Sequence, residues 1–287
     1  MSGALTFSVI VPCYNQARFL PDAVGSALAQ TPTPQVIVVD DGSTDATAEV
    51  AADYGDRILL IRQPNAGLPA ARNAGILQAD GEFLVFLDSD DSLRPDYLAR
   101  AAAFLSAHPE VDVLHGRADV VDMDGKVVAS FGGADLGDDP FARLLAGNDG
   151  PPNTWIVRRS LLAKAGLFDP DLRSCEDWDQ WLRCALAGGR FATDPTVVAV
   201  YRDVPGSMSK QVERMWRASR DVVRKHRDAR KLASDRKLAN ACVREKARGH
   251  RASLAHLARK GGGLDVARIL IRNPSLAGNI LKGMTTR

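Results

Sequence analysis

No apolar run in the 287-residue chain approaches the roughly 20 residues a membrane-crossing helix requires, so none is expected. A secretory leader is not expected either. Met1 to Ala17 carry no charge, but no Lys or Arg opens them, and Pro12, Asn15 and Gln16 interrupt them. Cysteine is sparse: Cys13, Cys175, Cys184 and Cys242 show neither C-x-x-C spacing nor a disulfide pattern, which suits a reducing compartment. These absences predict a cytoplasmic protein, at most attached peripherally to the inner face of a membrane. Beyond residue 210 the one aromatic is Trp216, which argues against nucleic acid held by stacking. There is no tandem repeat, no low-complexity tract, and no Gly-rich phosphate loop with a Lys near the first strand.

What the chain does have is lopsided charge. The net +2 hides 16 Lys/Arg against 29 Asp/Glu in residues 1–209, and 21 against 6 in residues 210–287. A basic tail on an acidic body points to an anionic surface, or to packing against its own body or a partner subunit of a homo-oligomer. The expected organisation is an α/β catalytic domain over 1–209 and a basic α-helical extension over 210–287.

The body is organised around Gly81 to Asp91. Five apolar residues, Phe83 to Leu87, stop at Asp88, Asp90 and Asp91. Such a run reads as a strand buried on both faces, and ligands of open parallel sheets bind beyond the carboxyl ends of such strands. Crowded carboxylates are comfortable when a cation shares their site; the plainer reading is a solvated acidic turn before the helix near Pro95. Upstream, Phe7 to Val11 reads as a strand ended by Pro12, and a helix follows from Pro21 to about Gln30. Val36 to Val39 is a second strand, ended by Asp40 and Asp41, with Ser43 or Thr44 as the next N-cap. Ile58 to Ile61 is a third strand, and Asn65-Ala66-Gly67 opens a helix through Gly75. Four alternations of strand and helix predict a parallel sheet with helices on both faces. Past residue 110, Asp124-Gly125 marks a hairpin between Val111–Val121 and Lys126–Ser130. A Gly/Asp-rich loop (132–140), the strand Trp155 to Val157, a Ser160-capped helix, a helix from Glu176, and the strand Val197 to Tyr201 follow. The helix from Ser209 carries a stripe of Val212, Met215, Trp216, Ser219, Val222, Val223 and His226, expected to pack on the catalytic domain or a partner. Shorter helices broken at Gly261–Gly263 and Pro274 come after it.

Five ordered blocks resemble the family 2 glycosyltransferases, inverting enzymes with the GT-A fold, a mixed sheet flanked by helices. They are Ser8 to Asn15, Val39 to Asp45, Asn65-Ala66-Gly67 with Ala71 to Gly75, Leu87 to Asp91, and Gly166 to Asp169 with Glu176-Asp177-Trp178. They lie within residues 7–209. The resemblance implies a nucleotide-sugar donor, with a UDP-sugar favoured, and a glycan or lipid-linked acceptor. It implies Mg²⁺ or Mn²⁺ held by Asp90, with Asp88 on ribose or metal and Asp91 as a further ligand. Asp41 would accept from the ring N–H of the base, Pro12, Tyr14 and Asn15 would line the base pocket, and Asn65 and Arg72 would form its other wall. Each has a plainer alternative: Tyr14 packed in the core, Arg72 paired with Asp41, Asp45 as a first-turn helix acid.

Inversion needs one base opposite the leaving diphosphate. Asp177 matches that position, Glu176 is the fallback, and the alternative is a helix-capping acid pair. Where many members carry a histidine, in the loop Tyr201 to Ser209, this chain has none; Arg202, Ser207 or Lys210 would cover the diphosphate. Two other classes compete: a nucleotidyltransferase of similar fold, and a non-catalytic scaffold binding a membrane or polyanion through the tail.

Overall fold

The computed structural model describes residues 4–227. They fall into two compact units: residues up to Pro140 with Asp149–Val204, and Phe141–Asn148 with the chain from Pro205 onward.

The first unit begins with β1 (Phe7–Cys13), α1 (Leu20–Leu28), β2 (Gln35–Asp40), α2 (Thr47–Ala52), β3 (Leu59–Arg62), α3 (Leu68–Leu77) and β4 (Phe83–Phe86). A two-residue strand β5 (Ser92–Leu93), α4 (Tyr97–Ala107), and the hairpin β6 (Val113–Val121) and β7 (Val127–Gly132) follow. Helix α5 (Pro140–Ala146) leads into the insert of the second unit. The first unit then resumes with β8 (Trp155–Arg158), α6 (Arg159–Ala165), α7 (Glu176–Leu186) and β9 (Phe191–Arg202). Together they form one nine-stranded mixed sheet in the order β3-β2-β1-β4-β8-β6-β9-β5, with β7 on β6. Strands β3, β2, β1 and β4 are parallel; β8 runs antiparallel to both β4 and β6, while β6 and β9 are parallel.

Alternation along the strands assigns the faces. Val9, Val11, Val36, Val38, Phe83 and Val85 pack in one cluster with Leu20, Ala23 and Val24 of α1 and Leu98, Ala101 and Leu105 of α4. Ile10 points the other way, so close to α3 that a Cβ on Gly75 would collide with its side chain. On that second face Phe86 meets Phe168 edge-on at 4.9 Å and Trp181 of α7 at 6.3 Å. Helices thus cover both faces, as the alternation predicts.

Several local expectations are corrected. Pro12 does not end β1, because Pro12 and Ile10 bond toward β4, and β4 stops at Phe86, so the missing N–H costs no ladder bond. Neither Ser43 nor Thr44 caps α2, whose N-cap is Ala46. The Ser43 hydroxyl instead accepts from the backbone N–H of Asn15 at 2.9 Å. Ser160 lies inside α6, whose N-cap is Arg158. β9 begins six residues before Val197.

In the second unit, α8 (Val212–Arg227) buries Trp216, Ser219, Val222, Val223 and His226, and the His226 ring meets Phe141 of α5 at 6.4 Å. No described helix is long and apolar enough to cross a membrane. The breaks at Gly261–Gly263 and Pro274, and Cys242, lie outside the described residues; Cys13, Cys175 and Cys184 are free thiols.

Candidate active site

Strands β1, β2 and β4 are parallel neighbours, so the acids that follow them emerge at one edge of the sheet. Two clusters form there, joined through α3.

The first cluster holds the β1 and β2 ends. Asp41 is buried, and its carboxylate accepts from Gln63 Nε2 (2.7 Å), Ala66 N (2.9 Å) and Gly67 N (2.8 Å), which secures the start of α3. Asp40 accepts from Ser43 N and pairs with Arg62 at 3.2 Å. Gly42, with φ +77°, is required here: a Cβ would stand 2.6 Å from the backbone nitrogen of Asn65. Asn15, also left-handed at φ 54°, accepts from Thr44 N at 2.8 Å and from Asp45 N. Pro12 is buried beside this group and Asn65 is exposed. Tyr14 is 48% exposed, which overturns the core-packing alternative. Asp45 accepts from Ala17 N and from the Thr47 hydroxyl, and so ties two loops together.

The second cluster is centred on Arg72, whose side chain is 1% exposed. One guanidinium nitrogen donates to Asp88 Oδ1 at 2.6 Å, another to Glu176 Oε1 at 2.5 Å, and Phe168 lies under its carbon at 5.4 Å. The alternative pairing with Asp41 is therefore not made. Parity explains the meeting, since Phe86 and Asp88 share the face on which α3 and α7 pack. Burial alone would lower the Arg72 pKa, but Asp88, Glu176 and Asp177 push it up. Glu176 is nearly fully buried, and that burial raises its carboxyl against the pull of Arg72. Asp177, partly exposed in the first turn of α7, acts electrostatically on both. Cys175, with φ 59°, is the left-handed residue at which the chain turns into α7.

Asp90 and Asp91 part company. Asp90 stays partly exposed, and burial together with the Asp88 charge raises its carboxyl to about 6. Asp91 is buried, each oxygen already engaged: Oδ1 by Arg202 N (2.8 Å) and Oδ2 by Asn153 Nδ2 (3.0 Å). Burial raises its carboxyl well above the usual range, with Asp90 and Asp88 adding to the effect. The Arg202 side chain is also occupied, donating to the Asp90 carbonyl and to Asp22 and lying over Phe19 at 5.3 Å. Ser207 and Lys210 belong to the second unit. No three His, Cys, Asp or Glu among the described residues form a ready metal cluster. Gln63, Asn73 and Asn153 are site neighbours that the motifs do not assign: Asn73 lies within the block Ala71 to Gly75, whereas Asn153 has no sequence signal and reaches Asp91 only because β8 pairs with β4.

The model of glycosyl transferase family 2 matches residues 8–162, more than half of the chain. The succinoglycan biosynthesis protein ExoO of Rhizobium meliloti is 38% identical over 218 residues, covering 70% of this chain and 62% of that protein. An uncharacterized Nostoc glycosyltransferase is 33% identical, and the chain covers 65% of it, so the chain spans under two thirds of both relatives. A PGL/p-HBAD biosynthesis glycosyltransferase of Mycobacterium tuberculosis is 35% identical over 185 residues, covering 62% of this chain and 69% of that one. Among solved structures, S. aureus TarS in complex with UDP-GlcNAc superposes with a TM-score of 0.64 at 26% identity, over 84% of this chain and 71% of that chain. The mannosyltransferase PcManGT of Pyrobaculum calidifontis, in complex with GDP-Man and Mn²⁺, superposes at 0.63 with 22% identity, over 99% and 84%, and shares the fold. The matched segment carries the parallel strands and α3 on which the acidic clusters are built, and the chain belongs to glycosyl transferase family 2.

Proposed function

We propose that the protein is an inverting, metal-dependent hexosyltransferase that moves a sugar from a nucleotide-sugar, a UDP-sugar by preference, to a glycan or lipid-linked acceptor. The observation that carries this reading is Arg72, which joins Asp88 beyond β4 to Glu176 at the start of α7, so that donor-side carboxylates and Asp177 share one neighbourhood. The UDP-GlcNAc complex of TarS supports the donor class. Asp177 takes the proton of the acceptor hydroxyl as that oxygen attacks the anomeric carbon opposite the departing diphosphate. Glu176, committed to Arg72, orients the helix start. Asp41 offers its Oδ2, with one protein donor, to a base ring N–H, and Tyr14, Asn15, Pro12 and Asn65 surround the base.

The donor set fits a hard divalent cation. Mg²⁺ and Mn²⁺ bind nucleotides through one or two carboxylates plus phosphate oxygens and water, and Asp88 and Asp90 supply two. Asp91, engaged on both oxygens, braces the loop instead. When bound, the cation would offset negative charge on the departing diphosphate.

The reading is tested by nucleotide release from a panel of UDP-, GDP- and dTDP-sugars with Mg²⁺ or Mn²⁺. Asp177→Asn is expected to lower turnover by about 10²- to 10⁴-fold while UDP binding persists. Release of pyrophosphate would instead indicate a nucleotidyltransferase, and full turnover in Asp177→Asn would remove Asp177 from the role.

The domain boundary near residue 209 and the membrane role are part of the same proposal. Helix α8 exposes Arg214, Arg217, Arg224, Lys225 and Arg227 opposite its buried stripe, a pattern suited to anionic lipid. Flotation of the full chain with vesicles containing phosphatidylserine should weaken with salt; binding that is absent, or unaffected by truncation near Ala229, would end this part.

A further inference from the structure

Asn73 follows Arg72 on α3 and has no part in the donor site described above. Its carboxamide is matched to a single residue: Oδ1 accepts from Phe168 N at 2.9 Å, and Nδ2 donates to Phe168 O at 2.8 Å. These partners fix the amide's orientation, because the reversed group would set donor against donor and acceptor against acceptor. Phe168 is itself immobilised, 1% exposed, with its ring against Phe86 and under the Arg72 guanidinium. From Phe168 the segment 169–175 runs to α7, where Arg72 grips Glu176. Consecutive residues of one helix therefore hold the two ends of the segment that delivers Asp177. The far side is tied as well: Gln180 of α7 donates to Gly166 O at 3.0 Å, and Arg183 to the same carbonyl at 2.9 Å.

We propose that Asn73 is a positioning residue for the reaction, setting the first turn of α7, and with it Asp177, relative to the carboxylates beyond β4. The inference rests on the reading of Asp177 as base. Without the Asn73 carboxamide, Phe168 N–H and C=O lose their partner and the anchor at residue 168 loosens, while Arg72 still holds Glu176 at the other end of the segment. Asp41 and Asp88 keep their own partners, Ala66, Gly67 and Arg72, none of which Asn73 touches, so the loss falls on the step the base serves.

The test uses the full chain, UDP-GlcNAc, UDP-glucose and GDP-mannose with Mn²⁺, and water as acceptor. In Asn73→Ala, kcat for nucleotide release is expected to fall roughly 10- to 100-fold, the range for a reacting group displaced by about 1 Å, while donor KM and UDP–Mn²⁺ affinity hold within about twofold. Deuterium exchange should rise in residues 169–175 and stay unchanged in β1 and β4. Combined with Asp177→Asn, Asn73→Ala should add no further loss, because a group acting through the base has nothing left to act on. Unchanged kcat, a loss expressed in KM and affinity, or an additive loss in the double variant would each overturn the proposal. If Asn73→Ala does not fold, Asn73→Asp carries the same comparison, since it keeps the acceptor for Phe168 N–H and loses the donor. Full turnover in Asp177→Asn would defeat the base assignment itself, whereas an inactive Asp177→Asn beside a normal Asn73→Ala would defeat the positioning role alone.

Discussion

Asp41 and Asp88 stand beyond the two strands that flank β1, yet the first is held by uncharged amides and the second by a buried guanidinium. The Asp41 cradle is local, running from β2 to the start of α3. The Arg72 cluster is long-range, since Glu176 lies 104 residues further along the chain. Its shared guanidinium links two carboxylates, Asp88 and Glu176.

The largest expected effect breaks that contrast directly. Arg72→Met would leave Glu176 buried and Asp88 without its cation, costing about 3–5 kcal/mol, whereas Asp41→Asn would set one NH₂ against backbone donors and cost about 1–3 kcal/mol. Urea denaturation of the two variants checks the ranking, and equal losses would show that the guanidinium is no more critical than the amides. Adding Glu176→Gln to Arg72→Met should recover part of the loss, because it removes the stranded charge.

A smaller effect sharpens the same contrast through pH. Asp90 and Asp91 have carboxyls raised in the folded chain, and Glu176 shifts the same way. Between the unfolded value and the raised folded one the native state binds more protons at these three acids, so their contribution to metal-free stability rises as pH falls from 7 toward 5, while His115, lowered by burial to about 4, opposes it over the same interval. Asp45, Asp119 and Asp194 are shifted below their unfolded value of 3.8, and what they contribute is lost only at lower pH still. Binding of Mn²⁺ with UDP should weaken across the window near pH 6 where Asp90 takes a proton. A stability profile between pH 7 and 5 that Asp90→Asn leaves unaltered would contradict the crowding of these acids.

Much of the parallel half was legible from residue order. The apolar runs at 36–39 and 83–87 are unbroken, that at 7–11 is broken by Ser8, and all three read as buried strands, with the acids after 39 and 87 facing the edge where those strands end. The misplacements were local competitions that spacing cannot decide. Ser43 could cap a helix or serve the backbone N–H of Asn15, and the loop chose the latter. Pro12 looked like a stop because its cost depends on which neighbouring strand is still present at that point. Strand β5, two residues long, has too little pattern to read, and it exists because β9 offers an edge to Ser92 and Leu93.

The amino-acid order alone determined the α/β alternation, the carboxylates at the tips of β2 and β4, the acid pair opening α7, and the family resemblance. Which partner each acid takes was decided by packing. Arg72 chose Asp88 and Glu176 over Asp41, Asp91 turned inward to Asn153 and Arg202, and Asn73 closed on Phe168. Periodicity fixes the face on which a side chain stands, but a pairing between residues 95 or more apart exists only once two helices lie on one sheet at a set distance and angle.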